Sequence, residues 1–211
     1  MTILFAWDFH GVLEKDTEYA VVERTNLTLK EFGYDLELSL EDLRPFYGMK
    51  WGDYYKHFIP GISEEKVREM VDWAVKTSQE SINKFIKPND HAAEVLDTLN
   101  KKGNTNILIS NTNPEAIFWF TDSVKLTDFF EKIIGLDKHL EKETKSKSEA
   151  ILEFKEQKNF EKIVVIGDHE KDIEEGIKVG AITYLFTKKD PSTIQTKADH
   201  IITDLREVFN E

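Results

Sequence analysis

A chain of 211 residues has the length of one large domain, or of a core domain that carries an inserted subdomain. Its 28 Lys and Arg residues against 40 Asp and Glu residues give a formal net charge of −12, which disfavours nucleic acid as a partner because nucleic-acid-binding proteins present a basic face. The absence of cysteine excludes disulfide bonds, thiolate metal sites and a cysteine nucleophile. No apolar run approaches the ~20 residues of a membrane span and the N-terminus has no basic start, so we predict a cytoplasmic protein without a membrane partner.

Short apolar runs alternate along the chain with longer stretches of helical periodicity. The apolar runs predict strands at 3–7, 106–109, 132–134, 162–166, 182–186 and 200–202. The stretches between them predict helices at 90–102, 114–123, 147–157, 170–179 and 204–209. The strands are apolar throughout rather than at alternate positions, which is typical of a sheet covered on both faces. The predicted fold class is therefore α/β, a doubly wound parallel sheet.

The interval 14–88 interrupts this alternation, because it has helical periodicity and no strand-like run. From Val67 onward its apolar positions recur at the i, i+3, i+4 spacing, and Ser63 is placed to cap the helix that they predict. An insertion of this length is better interpreted as a subdomain than as a loop. We therefore predict an α/β core of residues 1–13 and 89–211 with an inserted α-helical cap.

Polar groups follow the strands predicted at 3–7 and 106–109. Asp8 comes directly after the first, where a carboxylate can act as a nucleophile, and Gly11 lets the backbone turn away. Ser110 and Asn111 follow the second, just before a predicted helix whose N-terminus can hold phosphate oxygens. Each group also fits a structural role, an ordinary turn for the first and a helix cap for the second.

Charged side chains mark two further points of the predicted core. Lys147 lies at the start of a predicted helix, where a cation opposes the helix dipole and so indicates an anionic partner. Asp168 ends a strand and Asp172 follows four residues later, which puts both carboxylates on one side of a helical turn, where oxygen ligands can hold Mg²⁺. Each feature also has a structural explanation without a function: Lys147 as a lysine on a solvated surface, and the two Asp residues as an acidic start of a helix.

The four groups appear in the order Asp-x-x-Gly, Ser-Asn, Lys and Gly-Asp-x-x-x-Asp, which is far more specific than any one of them. In these motifs the sequence resembles the haloacid dehalogenase-like hydrolase superfamily over essentially the whole chain. Among its members it resembles those with an α-helical cap, of the phosphoglycolate phosphatase type. The resemblance implies a Mg²⁺-dependent phosphomonoester hydrolase that acts on a small phosphorylated metabolite through an aspartyl-phosphate intermediate. The motifs leave the substrate and the oligomeric state open.

The resemblance also implies a role for each motif residue. Asp8 would be the nucleophile, and Ser110 and Lys147 would bind the transferring phosphoryl group, with Lys145 as the alternative lysine. The implied metal ligands are Asp8, the backbone carbonyl of His10, Asp168 and Asp172.

Position 10 departs from the phosphatase pattern, which has a second Asp there as general acid and base. His10 can perform both steps in principle, because its unperturbed pKa of about 6.5 suits proton transfer near neutrality. Two other interpretations stay open for this reason. One is a degenerate member that binds phosphorylated ligands with little turnover, and the other is a phosphonate C–P hydrolase of the kind that also lacks the second Asp.

A turn in the predicted cap bears on the second of these interpretations. In helical-cap relatives a Gly-containing turn faces the active site, so we predict that Gly48 and Lys50 contact the substrate, together with Asn111 of the core. Lys50 could form a Schiff base with an aldehyde substrate in phosphonate cleavage, or bind an anionic substrate by its charge.

Overall fold

The computed structural model describes residues 2–46, 51–137 and 145–209. Its strands are β1 (Ile3–Trp7), β2 (Glu14–Lys15), β3 (Lys87–Pro88), β4 (Thr105–Ser110), β5 (Lys132–Gly135), β6 (Lys162–Gly167), β7 (Ile182–Phe186) and β8 (His200–Ile202). Its α-helices are α1 (Thr17–Glu31), α2 (Leu40–Leu43), α3 (Trp51–Phe58), α4 (Glu64–Phe85), α5 (Ala92–Lys101), α6 (Pro114–Ser123), α7 (Lys147–Lys155) and α8 (Glu170–Lys178). Short 3₁₀ helices occupy Arg44–Phe46, Thr127–Phe129, Pro191–Thr193 and Leu205–Phe209.

The larger sheet has six strands in the order β5-β4-β1-β6-β7-β8, and its pairings are parallel. Trp7 of the central strand β1 is level with Leu108 of β4 on one side and with Ile166 of β6 on the other. The chain runs outward from β1 to β5 and then returns to β6 to run outward on the other side. The C-terminal ends of β1, β4 and β6 therefore meet where the strand order reverses, the place where open α/β sheets bind ligands.

The central strands are buried on both faces, as their continuous apolar character predicts. All six residues of β4 are buried. Leu4 and Ala6 of β1 pack in an apolar cluster with residues of β4, β6 and α7. On the opposite face the indole N–H of Trp7, a residue only 1% exposed, donates to Asn106 Oδ1 at 2.9 Å, so that the buried polar atoms are paired. The C-terminal ends of these strands therefore extend from a buried part of the sheet.

The chain forms two compact units, one of Met1–Lys15 with Pro88–Glu211 and one of Asp16–Lys87. The second unit contains helices α1 to α4. Its buried apolar centre is formed by Leu29, Leu38, Leu43, Tyr54, Tyr55 and Met70. α4 begins after Ser63, whose side chain accepts the Lys66 N–H at 3.2 Å as a helix cap.

α4 is the longest of the helices described, at 22 residues. Its buried residues Val67, Met70, Ala74 and Ser81 follow helical spacing, whereas Glu, Lys, Arg and Asp side chains occupy other positions along it. In the part of the chain that the structure describes, no helix is both long enough and apolar enough to span a bilayer.

The fold confirms the predicted α/β class, with a parallel six-stranded sheet and a helical insertion. Two local predictions were wrong. The segment predicted as a helix at 204–209 is a five-residue 3₁₀ helix over Leu205–Phe209, since so short a stretch has room for little more than one turn. The interval 14–88, predicted to lack strands, begins and ends with the two-residue strands β2 and β3, which are too short for any periodicity to reveal.

Candidate active site

Three strand ends place polar side chains at the C-terminal edge of the large sheet. Asp8 follows β1, and its N–H donates to the Ile166 carbonyl of β6 at 2.8 Å, which continues the strand pairing to this residue. Ser110 is the last residue of β4, and Asp168 follows β6 directly. Because β4 and β6 flank β1, the three side chains start from neighbouring points of the sheet.

Three carboxylates form what we call the acid cluster: Asp8, Asp168 and Asp172. One carboxylate oxygen of each lies within 4.8 Å of the others. Asp172 belongs to the first turn of α8 and is 6% exposed, and the helix dipole stabilises a negative charge there. A donor set of carboxylate oxygens alone fits a hard divalent cation such as Mg²⁺ better than a softer metal. The acid cluster is therefore the candidate metal site.

Lys147 brings a positive charge to the acid cluster. Its Nζ donates to Asp8 Oδ1 at 2.5 Å and to Asp172 Oδ1 at 2.7 Å, and its side chain is 10% exposed. Burial alone would lower the pKa of Lys147, but the two carboxylates outweigh burial and raise it. Lys145 instead pairs with Glu153 at the exposed surface. Of the two candidate lysines, Lys147 is the one that the fold brings to Asp8.

The position of Lys147 depends on how α7 begins. Ser146 caps the helix: its Oγ accepts the Glu149 N–H at 3.2 Å, and the Glu149 carboxylate accepts the Ser146 N–H at 2.7 Å. Glu175 of α8 accepts the N–H of Ser148 at 2.8 Å. The first turn of α7 is thereby tied to α8, the helix that begins beside the acid cluster.

Burial, and then the charge of neighbouring carboxylates, raises the pKa of two carboxyl groups in the acid cluster. Burial raises the pKa of Asp8; Lys147 opposes this, and the charge of Asp172 adds to it. Burial of its carboxyl and then the charges of Asp8 and Asp172 raise the pKa of Asp168 to about 7, even though part of this residue is exposed. Three carboxylates against one ammonium leave an excess of negative charge, which a divalent cation would neutralise.

Two glycines allow the backbone to approach the acid cluster. Gly11 has a φ of +76°, and a Cβ there would lie 2.2 Å from Asp168 Oδ2. A Cβ on Gly167 would lie 2.2 Å from the Cβ of Asp172. Neither position accepts a side chain without displacement of a carboxylate.

We expect Gly11→Ala to weaken Mg²⁺ binding by about 10- to 100-fold, because the new methyl group displaces a candidate ligand. Gly103→Ala is the matched control: Gly103 has a φ of +81°, and a Cβ there meets nothing within 4 Å. Both variants carry the cost of a side chain at positive φ, about 1 kcal/mol, but only Gly11→Ala moves Asp168. Calorimetric Mg²⁺ titration of the two variants checks this, and an equal loss of affinity in both would contradict it.

His10 lies after β1 with both ring nitrogens engaged. Nδ1 is 3.1 Å from Glu14 Oε1, and Nε2 is 3.2 Å from Thr112 Oγ1. Ser110 Oγ donates to the same Thr112 oxygen at 3.1 Å. Burial disfavours the charged imidazole, but the hydrogen bond and charge of Glu14, with the charges of Asp8 and Asp168, outweigh burial and raise the pKa of His10. His10 is thus linked to the hydroxyl at the end of β4.

Comparison of the sequence with known protein families identifies the family of this chain. A family model described as haloacid dehalogenase-like hydrolase matches residues 4–186. The chain belongs to the haloacid dehalogenase-like hydrolase family. This result confirms the family and the hydrolase class that the sequence motifs predict. No curated protein matches the chain.

Solved structures share the fold of this hydrolase at low sequence identity. A predicted phosphoglycolate phosphatase from Haemophilus somnus is 16% identical with a TM-score of 0.82, and the match covers 98% of this chain and 96% of that one. A haloacid dehalogenase-like family hydrolase from Streptococcus pneumoniae is 17% identical with a TM-score of 0.76, over 100% and 97% of the two chains. A predicted phosphatase from Clostridium acetobutylicum is 19% identical with a TM-score of 0.75, over 100% and 97%. At these identities the matches show the fold alone.

Most of the predicted site residues of this hydrolase gather at the C-terminal edge of the sheet. The structure places there Asp8, His10, Ser110, Lys147, Asp168 and Asp172. Asn111 follows Ser110 and is exposed. Gly48 and Lys50 lie outside the described residues, so their contact with the substrate stays a prediction.

Three residues that support the site of this hydrolase were not predicted from the sequence. Glu14 contacts His10, Thr112 joins His10 to Ser110, and Glu175 anchors the start of α7. Thr112 directly follows the Ser-Asn motif and Glu175 lies three residues after Asp172 on α8, so their spacing was an available signal. Glu14 follows His10 by four residues, but its burial could not be predicted, because a buried acid has the same sequence pattern as an exposed one.

Proposed function

We propose that this hydrolase is a Mg²⁺-dependent phosphomonoesterase acting on a small phosphorylated metabolite. The observation that carries the proposal is the environment of Asp8, whose carboxylate follows the central strand, contacts the Lys147 ammonium and belongs to the acid cluster. Family membership supports hydrolysis, and a donor set made only of carboxylate oxygens supports Mg²⁺.

In the first step, a carboxylate oxygen of Asp8 bonds to phosphorus while the bond from phosphorus to the ester oxygen breaks. The ester oxygen takes a proton from Nε2 of His10, so the alcohol leaves as a neutral molecule. Lys147 holds the attacking carboxylate through its 2.5 Å hydrogen bond and offsets the charge on the phosphoryl oxygens. Ser110 Oγ, at the end of β4, binds the same oxygens.

In the second step, water hydrolyses the aspartyl-phosphate. Nε2 of His10 takes a proton from the water while the water oxygen bonds to phosphorus, and the bond from phosphorus to the Asp8 oxygen breaks. Inorganic phosphate leaves, and the Asp8 carboxylate and the protonated His10 are restored. One imidazole therefore serves as acid and then as base, in place of the second Asp of the usual family pattern.

The acid cluster would hold the metal, together with the backbone carbonyl of His10. Mg²⁺ bound there supplies positive charge to the phosphoryl oxygens. The glycines at 11 and 167 leave the space that the carboxylates need around it.

The test is phosphate release from a panel of phosphomonoesters, with and without Mg²⁺, over a range of pH. We expect turnover by the wild type only with Mg²⁺, and a pH profile that changes in His10→Asp because the proton-transfer group has changed. A wild type that is inert across the panel, with a gain of activity in His10→Asp, would overturn the proposal. The natural chain would then be a binding protein or an enzyme for another bond, such as the phosphonate C–P bond.

We expect the Mg²⁺ affinity to fall as the pH drops below about 7, by about tenfold per unit at most, because Asp168 must lose its proton to bind metal. The folded pKa of Asp168 lies above its unfolded value, so its ionisation destabilises the metal-free protein as the pH rises from about 4 to about 7. Asp168→Asn removes this contribution. Calorimetric titrations at several pH values, with thermal melts of both proteins, check the two effects. An affinity that is constant across this pH range would contradict the prediction.

A further inference from the structure

Glu14 is a buried carboxylate that touches His10. It is 1% exposed, and its Oε1 lies 3.1 Å from His10 Nδ1. The same oxygen accepts the Gly11 N–H at 3.3 Å. Because this oxygen already accepts one N–H bond, it is placed to accept a second from His10, which favours a ring proton on Nδ1.

The other ring nitrogen faces the end of β4. His10 Nε2 is 3.2 Å from Thr112 Oγ1, which also accepts the Ser110 hydroxyl at 3.1 Å. Ser110 Oγ in turn accepts the Thr112 N–H at 3.2 Å. A neutral ring with its proton on Nδ1 presents a lone pair at Nε2, to which the Thr112 hydroxyl donates. A doubly protonated ring donates from Nε2 instead, and both states satisfy the network.

Aromatic neighbours restrict the orientation of the ring. The ring centroids of Phe9 and His10 are 5.2 Å apart, and those of His10 and Phe120 are 5.3 Å apart, both in edge-to-face arrangements. Phe9 is fully buried. The imidazole is therefore held between two aromatic side chains, with one nitrogen toward a buried acid and the other toward the Thr112 hydroxyl.

We propose that Glu14 is a positioning residue for His10, which keeps a proton on Nδ1 and leaves Nε2 as the nitrogen that gives and takes protons at the phosphoryl group. The inference rests on the proposed function for its catalytic consequence. When His10 gives its Nε2 proton to the ester oxygen, the other ring proton stays on Nδ1, hydrogen-bonded to Glu14. When His10 takes the proton of water, the lone pair is again at Nε2. Without Glu14 the neutral ring could carry its proton on Nε2 and would present no base to the substrate.

Glu14 also supports the turn after β1 through the Gly11 N–H, so loss of activity in a single variant would not separate positioning from folding. Two measurements distinguish a role in positioning His10 from a role in folding the turn. One observes the ring proton of His10 directly, and the other asks whether Glu14 acts through His10.

The direct readout is ¹⁵N NMR of the His10 ring in the intact protein, at a pH where the ring is neutral. We expect Nδ1 to carry the proton in the wild type, and we expect the form with its proton on Nε2 to increase in Glu14→Gln, since an amide is a weaker acceptor and can donate to Nδ1. A wild-type ring with its proton on Nε2 would overturn the proposal. This measurement does not depend on activity, so it stands even if the protein hydrolyses no phosphomonoester.

The second readout is a double-mutant cycle on phosphate release. We expect Glu14→Gln to lower kcat by about 100-fold with little change in KM, at the lower end of acid–base contributions. In a His10→Ala background the same change should have no further effect, because Glu14 then has no ring to position. An equal loss of kcat in both backgrounds would overturn the proposal and assign Glu14 to the turn.

Glu207→Gln is the matched control, since Glu207 also accepts backbone N–H groups, those of Thr203 and Asp204 at 2.9 Å, but has no contact with the site. We expect its kcat to equal that of the wild type. If the wild type itself releases no phosphate while the ring proton is on Nδ1, the proposed function fails and the role of Glu14 in holding His10 stands.

Discussion

Asp8→Asn is expected to abolish phosphate release while it stabilises the metal-free protein. The amide has the shape of the carboxylate but cannot form the aspartyl-phosphate, so we expect a loss of at least about 10⁴-fold, or about 5.5 kcal/mol of transition-state stabilisation. Activity and stability should therefore change in opposite directions, as they do where a catalytic group is held in an unfavourable environment.

The gain in stability follows from the environment of Asp8. Its pKa is raised by burial, with a further contribution from Asp172, which means that the folded protein disfavours the charged form. A neutral amide removes this cost, and Lys147 keeps its hydrogen bond to Asp172 at 2.7 Å. We expect a gain of about 1 kcal/mol, which corresponds to about 2–4 °C in Tm for a chain of this size.

Thermal melts without metal, beside phosphate-release assays, measure the two effects. Asp97→Asn is the control, since Asp97 lies on α5 and pairs with Lys101 at the surface. That variant should keep both Tm and activity close to the wild type. With Mg²⁺ present the order should reverse, because the wild type binds the cation more tightly. A less stable Asp8→Asn protein without metal would contradict our account of the acid cluster.

Lys147→Met is expected to destabilise the metal-free protein by about 3–5 kcal/mol, the cost of leaving buried charges without their partner. The Lys147 ammonium contacts two carboxylates that are largely buried, and Met fills a similar volume without the charge. The loss should be smaller at low pH, where the carboxyl groups of the acid cluster are protonated and need no counter-charge. Added Mg²⁺ should restore part of the stability, since it supplies positive charge to the same oxygens.

Lys145→Met is the matched control for this change. Lys145 forms a surface ion pair with Glu153, which contributes less than about 1 kcal/mol. Urea denaturation of both variants, with and without Mg²⁺, measures the difference, and phosphate release should be lost only in Lys147→Met. Similar losses of stability in the two variants would show that the buried contacts of Lys147 do not support the site.

The sheet and the ends of its strands could be predicted because local signals agree there. β1 and β7 begin and end at the predicted residues: β1 is a short apolar run between Thr2 and Asp8, and β7 is a run of strand-forming residues between Ala181 and Thr187. Asp8 and Asp168 were found for the same reason: each directly follows such a run. β2 and β3 could not be predicted, because two residues carry no period and their pairing partners lie far apart in the chain.

The sequence by itself determined the family, the sheet and the carboxylates, since these depend on residue type and on short spacings. Only the tertiary structure decided which lysine reaches Asp8 and which acid holds His10. Lys147 and Asp8 are 139 positions apart, and the two candidate lysines differ only in where α7 begins relative to the sheet. Glu14 of β2 contacts Nδ1 of His10, and Thr112, two residues after the end of β4, contacts Nε2. The contacts of Lys147 and Thr112 depend on the packing of distant segments, which no local pattern encodes, and the contact of Glu14 depends on burial of a residue only four positions from His10.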